Sequence, residues 1–115
     1  IRYPIKFVLR KEGLPVEVRK EFDVWRYIRE KGGDEGWVHK SLLSSRRAVI
    51  VTAAQTPLLK KPEEKSEAVA KLEQGVVASL DRCAPEWCYL KIAGYKGWMK
   101  RSAIWGVYAD ETFDK

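Results

Sequence analysis

The sequence predicts an all-β protein that contains two copies of one small module in tandem. One observation is an internal repeat, in which glycine and tryptophan positions of the first half recur in the second half. Another is that both halves consist of short segments separated by turn residues, and that apolar residues occupy about every second position of these segments, as in a β-strand. The composition, 45% hydrophobic and 33% charged over 115 residues, is that of a globular protein with a core.

The repeat is defined by its spacing. The recurring positions are Gly13 with Gly75, Trp25 with Trp87, and Gly36-Trp37 with Gly97-Trp98. The offset is 62 for the first two and 61 for the third, so one residue is lost near residues 32–33. A spacing held across two tryptophans and two glycines indicates duplication, and we expect the modules to occupy residues 1–52 and 53–115.

Each copy is predicted to contain the same elements in the same order. Alternation around 16–18 and 76–80 predicts the first strands, and turn residues follow at 22–24 and 84–86. The next strands are expected at 25–29 and 87–92, with turns at 31–34 and 93–96. After the Gly-Trp pairs, residues 40–43 and 101–104 are typical of a single helical turn. Residues 46–52 are expected to form the last strand of the first copy.

The motifs W-x-x-[IVL] and G-W-[VM]-x-x-x-x-[LI] occur in both copies, as WRYI and WCYL, and as GWVHKSLL and GWMKRSAI. Together with the glycine before the first strand, they are similar to the bacterial SH3 family over about 3–52 and 56–108. The segments YPIKFVLRKEGLPVEV and EGWVHKSLLS resemble tandem SH3-domain proteins of the alphaproteobacterial envelope. The resemblance implies two small SH3-like barrels, a targeting role in the envelope, and peptidoglycan or its peptide stem as ligand.

The first copy departs from the family pattern. A strand resembling V-N-V-R-x-G-P usually precedes the YPI segment, and the second copy keeps a degenerate version at 56–62. The first barrel is therefore expected to be incomplete in this chain. An unpaired strand edge can pair with a second chain, so this edge permits oligomer formation.

Six aromatic side chains are the candidate ligand-binding residues. Side chains alternate along a strand, so if Ile28 and Val38 point inward, their aromatic neighbours point outward. The six are Trp25, Tyr27, Trp37, Trp87, Tyr89 and Trp98. Large aromatics on an outer face suit peptide or glycan ligands. The alternative is that they cover the ends of small barrels or the seam between the two copies.

The two cysteines lie five positions apart, at Cys83 and Cys88. At the tip of a hairpin they would face each other, so a local disulfide is geometrically accessible, and it would indicate an oxidising compartment. The alternative is a pair of reduced thiols. Two cysteines with the single His39 far away do not supply a structural zinc site, so no metal is expected.

The sequence has few side chains suited to catalysis, so we do not expect an enzyme. Histidine is the usual general base at neutral pH, and the position that corresponds to the single histidine, His39, is Lys100 in the other copy. No phosphate-binding loop, cofactor motif or membrane-spanning run is present. The net charge of +6 lies mainly in the first half, where bases alternate with acids, so nucleic-acid binding is not expected.

These observations predict a non-catalytic binding or targeting module, periplasmic or secreted, that recognises peptidoglycan or a peptide. The alternative from a different class is an interaction scaffold that recognises the strand or loop of an envelope protein. Binding of polyanions by the first repeat is a third hypothesis, for which a steep dependence on salt would be the signature.

Overall fold

The computed structural model describes residues 6–11, 14–44, 46–108 and 111, the first of these ranges as backbone. The described residues are all-β, as predicted, and they form two antiparallel sheets with 3-10 turns as their helical elements. We call the parts of the chain that form the two sheets module one and module two.

Module one is a four-stranded meander, in which each strand pairs with the next one along the chain. Its strands are β1 (Lys6–Lys11), β2 (Leu14–Phe22), β3 (Trp25–Arg29) and β4 (Glu35–His39). The 3-10 turn Lys40–Leu42 follows, as the sequence predicts. The core is small, because the buried side chains of this cluster are Val16, Val18 and Ile28, with Val38 and Leu43 packed against them.

Module two has seven strands in the order β11-β5-β8-β9-β10-β6-β7. The bounds are β5 (Ala48–Val51), β6 (Thr56–Leu59), β7 (Ala68–Leu72), β8 (Val77–Cys83), β9 (Trp87–Ile92), β10 (Tyr95–Lys100) and β11 (Ile104–Trp105). The 3-10 turn Arg101–Ala103 joins β10 to β11. Its core is larger than that of module one and centres on fully buried side chains such as Leu58, Leu90 and Met99.

The hairpins form where the turn residues predict them. Ala93 and Gly94, between β9 and β10, have φ angles of 48° and 87°. Two consecutive residues with positive φ match the twist of antiparallel strands and close a two-residue hairpin. The register then places Tyr95 opposite Ile92 and Lys100 opposite Trp87, over the full length of both strands.

β5 corrects the prediction for residues 46–52. The strand forms, but it pairs with β8 and β11 of module two instead of closing module one. Val49 and Val51 point into the core of module two. Ala48 and Ile50 alternate to the opposite face and are also buried, and that face lies against β2 of module one. β5 is therefore covered on both faces and holds the two modules together.

The two copies also differ at their sheet edges. The repeat aligns β1 with β7, yet β1 pairs with β2, whereas β7 pairs with β6. The described strands of module one do not include a counterpart of β6. β1 and β4 are the edges of the first sheet, and β11 and β7 are those of the second. Neither sheet closes into a hydrogen-bonded barrel within the described ranges.

Candidate functional site

Both modules display a tyrosine and a tryptophan side by side on the outer face of the sheet. Tyr27 lies opposite Trp37 in the register of β3 and β4, and Tyr89 lies opposite Trp98 in that of β9 and β10. The ring centroids are 5.2 Å apart at 61° in the first pair and 5.1 Å apart at 60° in the second. The repeat thus preserves an edge-to-face aromatic pair, an arrangement that ring quadrupoles favour.

A cation from the neighbouring strand adjoins each tyrosine. In module one, Lys20 Nζ lies 5.2 Å from the centroid of Tyr27. In module two, Arg82 Cζ lies 4.2 Å from Tyr89 and 5.2 Å from Trp98. A cation over an aromatic face is attracted to its negative quadrupole. Each module therefore carries a row of cation, tyrosine and tryptophan across three strands.

The other two predicted tryptophans, Trp25 and Trp87, are the first residues of β3 and β9. Trp25 is 44% exposed, and its ring contacts His39 edge-on with the centroids 5.6 Å apart. His39 Nδ1 accepts a hydrogen bond from the amide of Ser41, so this imidazole caps the 3-10 turn. The position of His39 is that of a structural cap beside an aromatic ring. At the equivalent place in module two, Lys100 Nζ lies 5.8 Å from the ring of Trp87.

Trp87 also borders a groove of about 590 Å³. The groove lies between the β6–β7 loop, the tip of the β8–β9 hairpin and the 3-10 turn after β10. Its charged and aromatic walls are Glu63, Glu64, Glu86, Trp87, Lys100 and Arg101. We refer to it as the Trp87 groove. The groove combines one large aromatic ring with acidic and basic side chains. Such a surface suits a polar ligand that carries both positive and negative groups.

Two of these charges pair with each other. Lys100 Nζ donates to Glu64 Oε1, and both side chains are exposed. This hydrogen bond, followed by the Lys100 charge, lowers the pKa of Glu64. Arg101 is fixed instead by the backbone, because its guanidinium donates to the carbonyls of Ala84 and Tyr108. The groove is thus bordered by Arg101, which the backbone holds in place, and by an exposed ion pair between Lys100 and Glu64.

The predicted disulfide is present in the structure and supports this site. Cys83 and Cys88 are opposite each other on β8 and β9, and both are buried in the core of module two. The amide of Ala84 donates to the carbonyl of Trp87 over 2.7 Å and closes the same turn. Trp87 therefore projects from a hairpin tip that is cross-linked at its base.

None of the six predicted aromatics is buried, and their role in ligand binding stays a prediction. The sequence misses the acidic wall of the Trp87 groove. Glu63 and Glu64 come from the β6–β7 loop, and Glu86 comes from the hairpin tip. Their signal in the sequence is a charged segment, KKPEEKSE, between two strands. Such a segment is usually a solvated loop, and its position beside Trp87 follows from the pairing of β6 with β10.

Within the described ranges, no three or more His, Cys, Asp or Glu side chains are grouped in a way that could hold a metal ion. The helical elements of the described chain are too short to cross a membrane.

The sequence comparisons are consistent with this geometry. A family model described as a bacterial SH3 domain matches the chain twice, at residues 2–45 and 52–106. The two matches correspond to the two copies of the repeat and to the two sheets, and β5 lies between them. A comparison with curated proteins gives no match. Since the two matches cover most of the chain, this protein belongs to the bacterial SH3 domain family and contains two copies of the domain in tandem.

Proposed function

We propose that this protein is a non-catalytic binding module of the cell envelope that recognises peptidoglycan, or a peptide, at the Trp87 groove. The observation that carries the proposal is the groove itself, where Trp87 stands among three carboxylates and two cations. Membership of the bacterial SH3 family supports a binding role, and the buried disulfide supports a location in the periplasm or outside the cell.

The chemistry of the groove suits a short peptide that carries both free carboxylates and an amine, as peptidoglycan stems do. Lys100 and Arg101 match carboxylates, while Glu63 and Glu86 match an ammonium group. The ring of Trp87 supplies apolar area for the backbone or an alkyl side chain between them. Exposed ion pairs contribute little to stability. A charged group of the ligand can therefore replace one partner of the Glu64–Lys100 pair at a small cost in free energy.

The aromatic rows are a second part of the proposed ligand surface. They lie on the outer face of the strands that carry Trp25 and Trp87, one row on each module. Tandem sites on one chain raise the effective concentration of the second site once the first is occupied. A polymeric ligand with repeated stems is the kind that gains from this arrangement.

The proposal is tested by co-sedimentation of the protein with purified peptidoglycan sacculi, at low and high salt, in competition with soluble stem peptides. We expect Trp87→Ala to weaken binding by roughly tenfold or more, as truncation of an aromatic anchor does. Glu86→Lys, at an exposed position, should weaken it through charge reversal without removing the ring. The matched control is Tyr95→Ala, because Tyr95 is an exposed aromatic at the opposite end of the β9–β10 hairpin.

Folding of each variant is checked by circular dichroism and thermal unfolding. Absence of sedimentation by the wild-type protein would overturn the peptidoglycan proposal. Equal loss in the Tyr95 and Trp87 variants would overturn the assignment of the groove. Binding that disappears with salt alone, and is insensitive to Trp87, would identify a charge-driven polyanion surface instead.

An interaction scaffold is the alternative function, and one observation favours it. Module one exposes several large apolar side chains, namely Phe22, Trp25, Trp37 and Leu42. Apolar groups concentrated on one small domain are typical of a surface that contacts another protein. Retention of a specific envelope protein by the wild type, and its loss in Trp25→Ala, would support this function over wall binding.

A further inference from the structure

Two lysines lie directly opposite each other on the sheet of module two. Lys91 of β9 pairs with Lys96 of β10, and Ser79 of β8 pairs with Lys91, so the three residues form one row across the sheet. All three are exposed. Residues directly opposite each other have Cβ atoms about 5 Å apart, and like charges in that arrangement are destabilising. The row therefore carries a charge repulsion that a bound anion would relieve.

Module one shows that the fold does not require this repulsion. Its equivalent row, at the offsets that relate the two copies, consists of Glu17, Arg29 and Glu35. There an arginine lies between two acids, so opposite charges adjoin each other. Because the same three-stranded arrangement forms around both rows, the two lysines of module two are not a requirement of the fold.

The lysine row borders a groove of about 420 Å³ at the end of the β9–β10 hairpin. Its lining includes Ser79, Lys91 and Lys96, together with the half-buried apolar residues Val77 and Ile92. This volume is within the range of sites for small molecules. The groove combines hydroxyl and ammonium donors with an apolar surface, and it shares no residue with the Trp87 groove.

The acids nearby do not neutralise the row. Lys91 Nζ lies 3.7 Å from Asp81 Oδ1, but Asp81 also accepts a hydrogen bond from Arg82 over 2.8 Å. No residue in the described part of the chain forms an ion pair with Lys96. One carboxylate is thus shared between two cations, while Lys96 keeps its charge for a ligand.

The donors of the row match a phosphate better than a carboxylate. A phosphate monoester carries close to two negative charges at neutral pH and has three strong acceptor oxygens. Each lysine can donate to one of these oxygens and the serine hydroxyl to the third, and the two positive charges balance the ligand. A carboxylate has a single charge and two oxygens, so it would leave one donor of the row unused.

We propose that the row of Ser79, Lys91 and Lys96 binds the phosphate group of a phosphorylated sugar. The sugar ring occupies the rest of the groove and packs against Val77 and Ile92. This site lies at the end of the β9–β10 hairpin opposite to Trp87, so either proposal can fail alone.

The test is isothermal titration of the intact protein with glucose 6-phosphate, and ¹⁵N-resolved NMR locates the site. We expect saturable binding with shifts of the amides of Ser79, Lys91 and Lys96. Lys96→Gln should weaken binding by roughly tenfold or more, because a hydrogen bond to a charged group is lost. Lys71→Gln is the matched control, since Lys71 is exposed on β7, lies outside the groove and undergoes the same change of charge.

A charge reversal separates binding from folding. Lys96→Glu gives β10 the acid that module one has at the equivalent position, Glu35. We expect this variant to lose binding and to remain folded by circular dichroism, because module one forms its sheet with an acid at that place. Equal loss of binding in Lys71→Gln would show that net charge alone attracts the ligand, and would overturn the proposal.

Three other ligands test the chemistry of the groove. Glucose, inorganic phosphate and glucuronate should each bind at least tenfold more weakly than glucose 6-phosphate, since each lacks the phosphate, the sugar or the third acceptor oxygen. Equal binding of any of them would overturn the proposal, as would absence of binding by glucose 6-phosphate or shifts centred on Lys100 and Arg101. Vesicles of phosphatidylglycerol are the last arm. Binding to them that glucose 6-phosphate does not inhibit would assign the row to a membrane surface and would also overturn the proposal.

Discussion

At position 97 the backbone of β10 passes so close to β6 that a side chain has no room. An added Cβ would lie 2.7 Å from a carbonyl oxygen, which is far inside normal contact, and the neighbour is backbone that cannot rotate away. The equivalent Gly36 faces open space. Two residues that the repeat makes equivalent therefore have different roles in stability, and the reason is the strand beside them.

We predict that Gly97→Ala lowers the free energy of unfolding by about 1–3 kcal/mol, the cost of forcing an extra methyl group into a packed site. Gly36→Ala is the matched variant, and it should change stability by less than about 0.5 kcal/mol, as substitutions at open surface positions do. Urea unfolding followed by tryptophan fluorescence measures both. Equal effects of the two substitutions would contradict the close approach of β6 to β10.

For single residues, the sequence predicts well on which face of a strand a side chain lies. It predicts poorly which residues from distant parts of the chain lie beside that side chain. Strand alternation placed Tyr27 and Tyr89 on the outer face, and the local spacing of Cys83 and Cys88 indicated a disulfide. Both inferences depend on residues that are near in sequence. The acidic wall around Trp87 depends on where the β6–β7 loop lies, which is set by a pairing between distant strands. Nothing local to Glu63 or Glu64 reports that pairing.

Among the elements, β5 is the one whose place the sequence does not determine. Its residues are apolar at all four positions, so the pattern predicts a strand buried on both faces but does not specify its neighbours. The hairpins β2–β3 and β9–β10 were predictable because each is closed by a turn between adjacent strands. β5 pairs instead with β8, about thirty residues later, and with β11, more than fifty residues later. Such non-local pairings leave no signal in a short window.

The position of β5 leads us to propose a module boundary ahead of residue 48, in contrast to the boundary after residue 52 predicted from the repeat. A fragment of residues 46–115 should unfold cooperatively, because it keeps Val49 and Val51, both fully buried in the core of module two. A fragment of residues 53–115 should lose cooperative unfolding, since it also leaves β11 and one edge of β8 without a partner.

Thermal unfolding by circular dichroism and the dispersion of amide signals in NMR spectra compare the two fragments. The control is the 46–115 fragment with Arg46→Ala, which alters the exposed N-terminal end of the fragment but not the strand. If the 53–115 fragment unfolds with the same midpoint as 46–115, β5 contributes nothing essential and the boundary after residue 52 stands.

Over the whole molecule, polar contacts between distant segments accompany the packing of β5 against β2. The Tyr108 hydroxyl donates to Glu17 Oε2 over 2.7 Å and so joins module two to a buried carboxylate of module one. Arg47 donates to both carboxylate oxygens of Glu111, at 2.8 and 3.0 Å. Burial alone would raise the pKa of Glu111, but its bonds to Arg47 and to the Tyr108 amide outweigh burial and lower that pKa.

The burial of Tyr108 and its contact with Glu17 make the stability of the protein depend on pH in the alkaline range. Burial, followed by the hydrogen bond to Glu17 and its charge, raises the pKa of Tyr108 well above its ordinary value near 10. The folded protein therefore keeps this proton in a range where the unfolded chain releases it. The resulting stabilisation is complete below pH 10 and is lost as the pH rises towards the pKa of the folded state.

We predict that Tyr108→Phe lowers the free energy of unfolding at pH 7 by about 1–3 kcal/mol, because Glu17 loses a buried hydrogen-bond donor. Between pH 9 and 11 the wild type should lose more stability than the variant, so their difference narrows as the unfolded tyrosine ionises. Urea unfolding at fixed pH values measures the difference, and the other tyrosines and the lysines are shared by both proteins. Parallel curves above pH 10 would contradict the raised pKa of Tyr108, and with it the buried, hydrogen-bonded position of its hydroxyl. A narrowing gap would show that the folded protein holds the Tyr108 proton in a pH range where the unfolded chain releases it, as burial and the hydrogen bond to Glu17 predict.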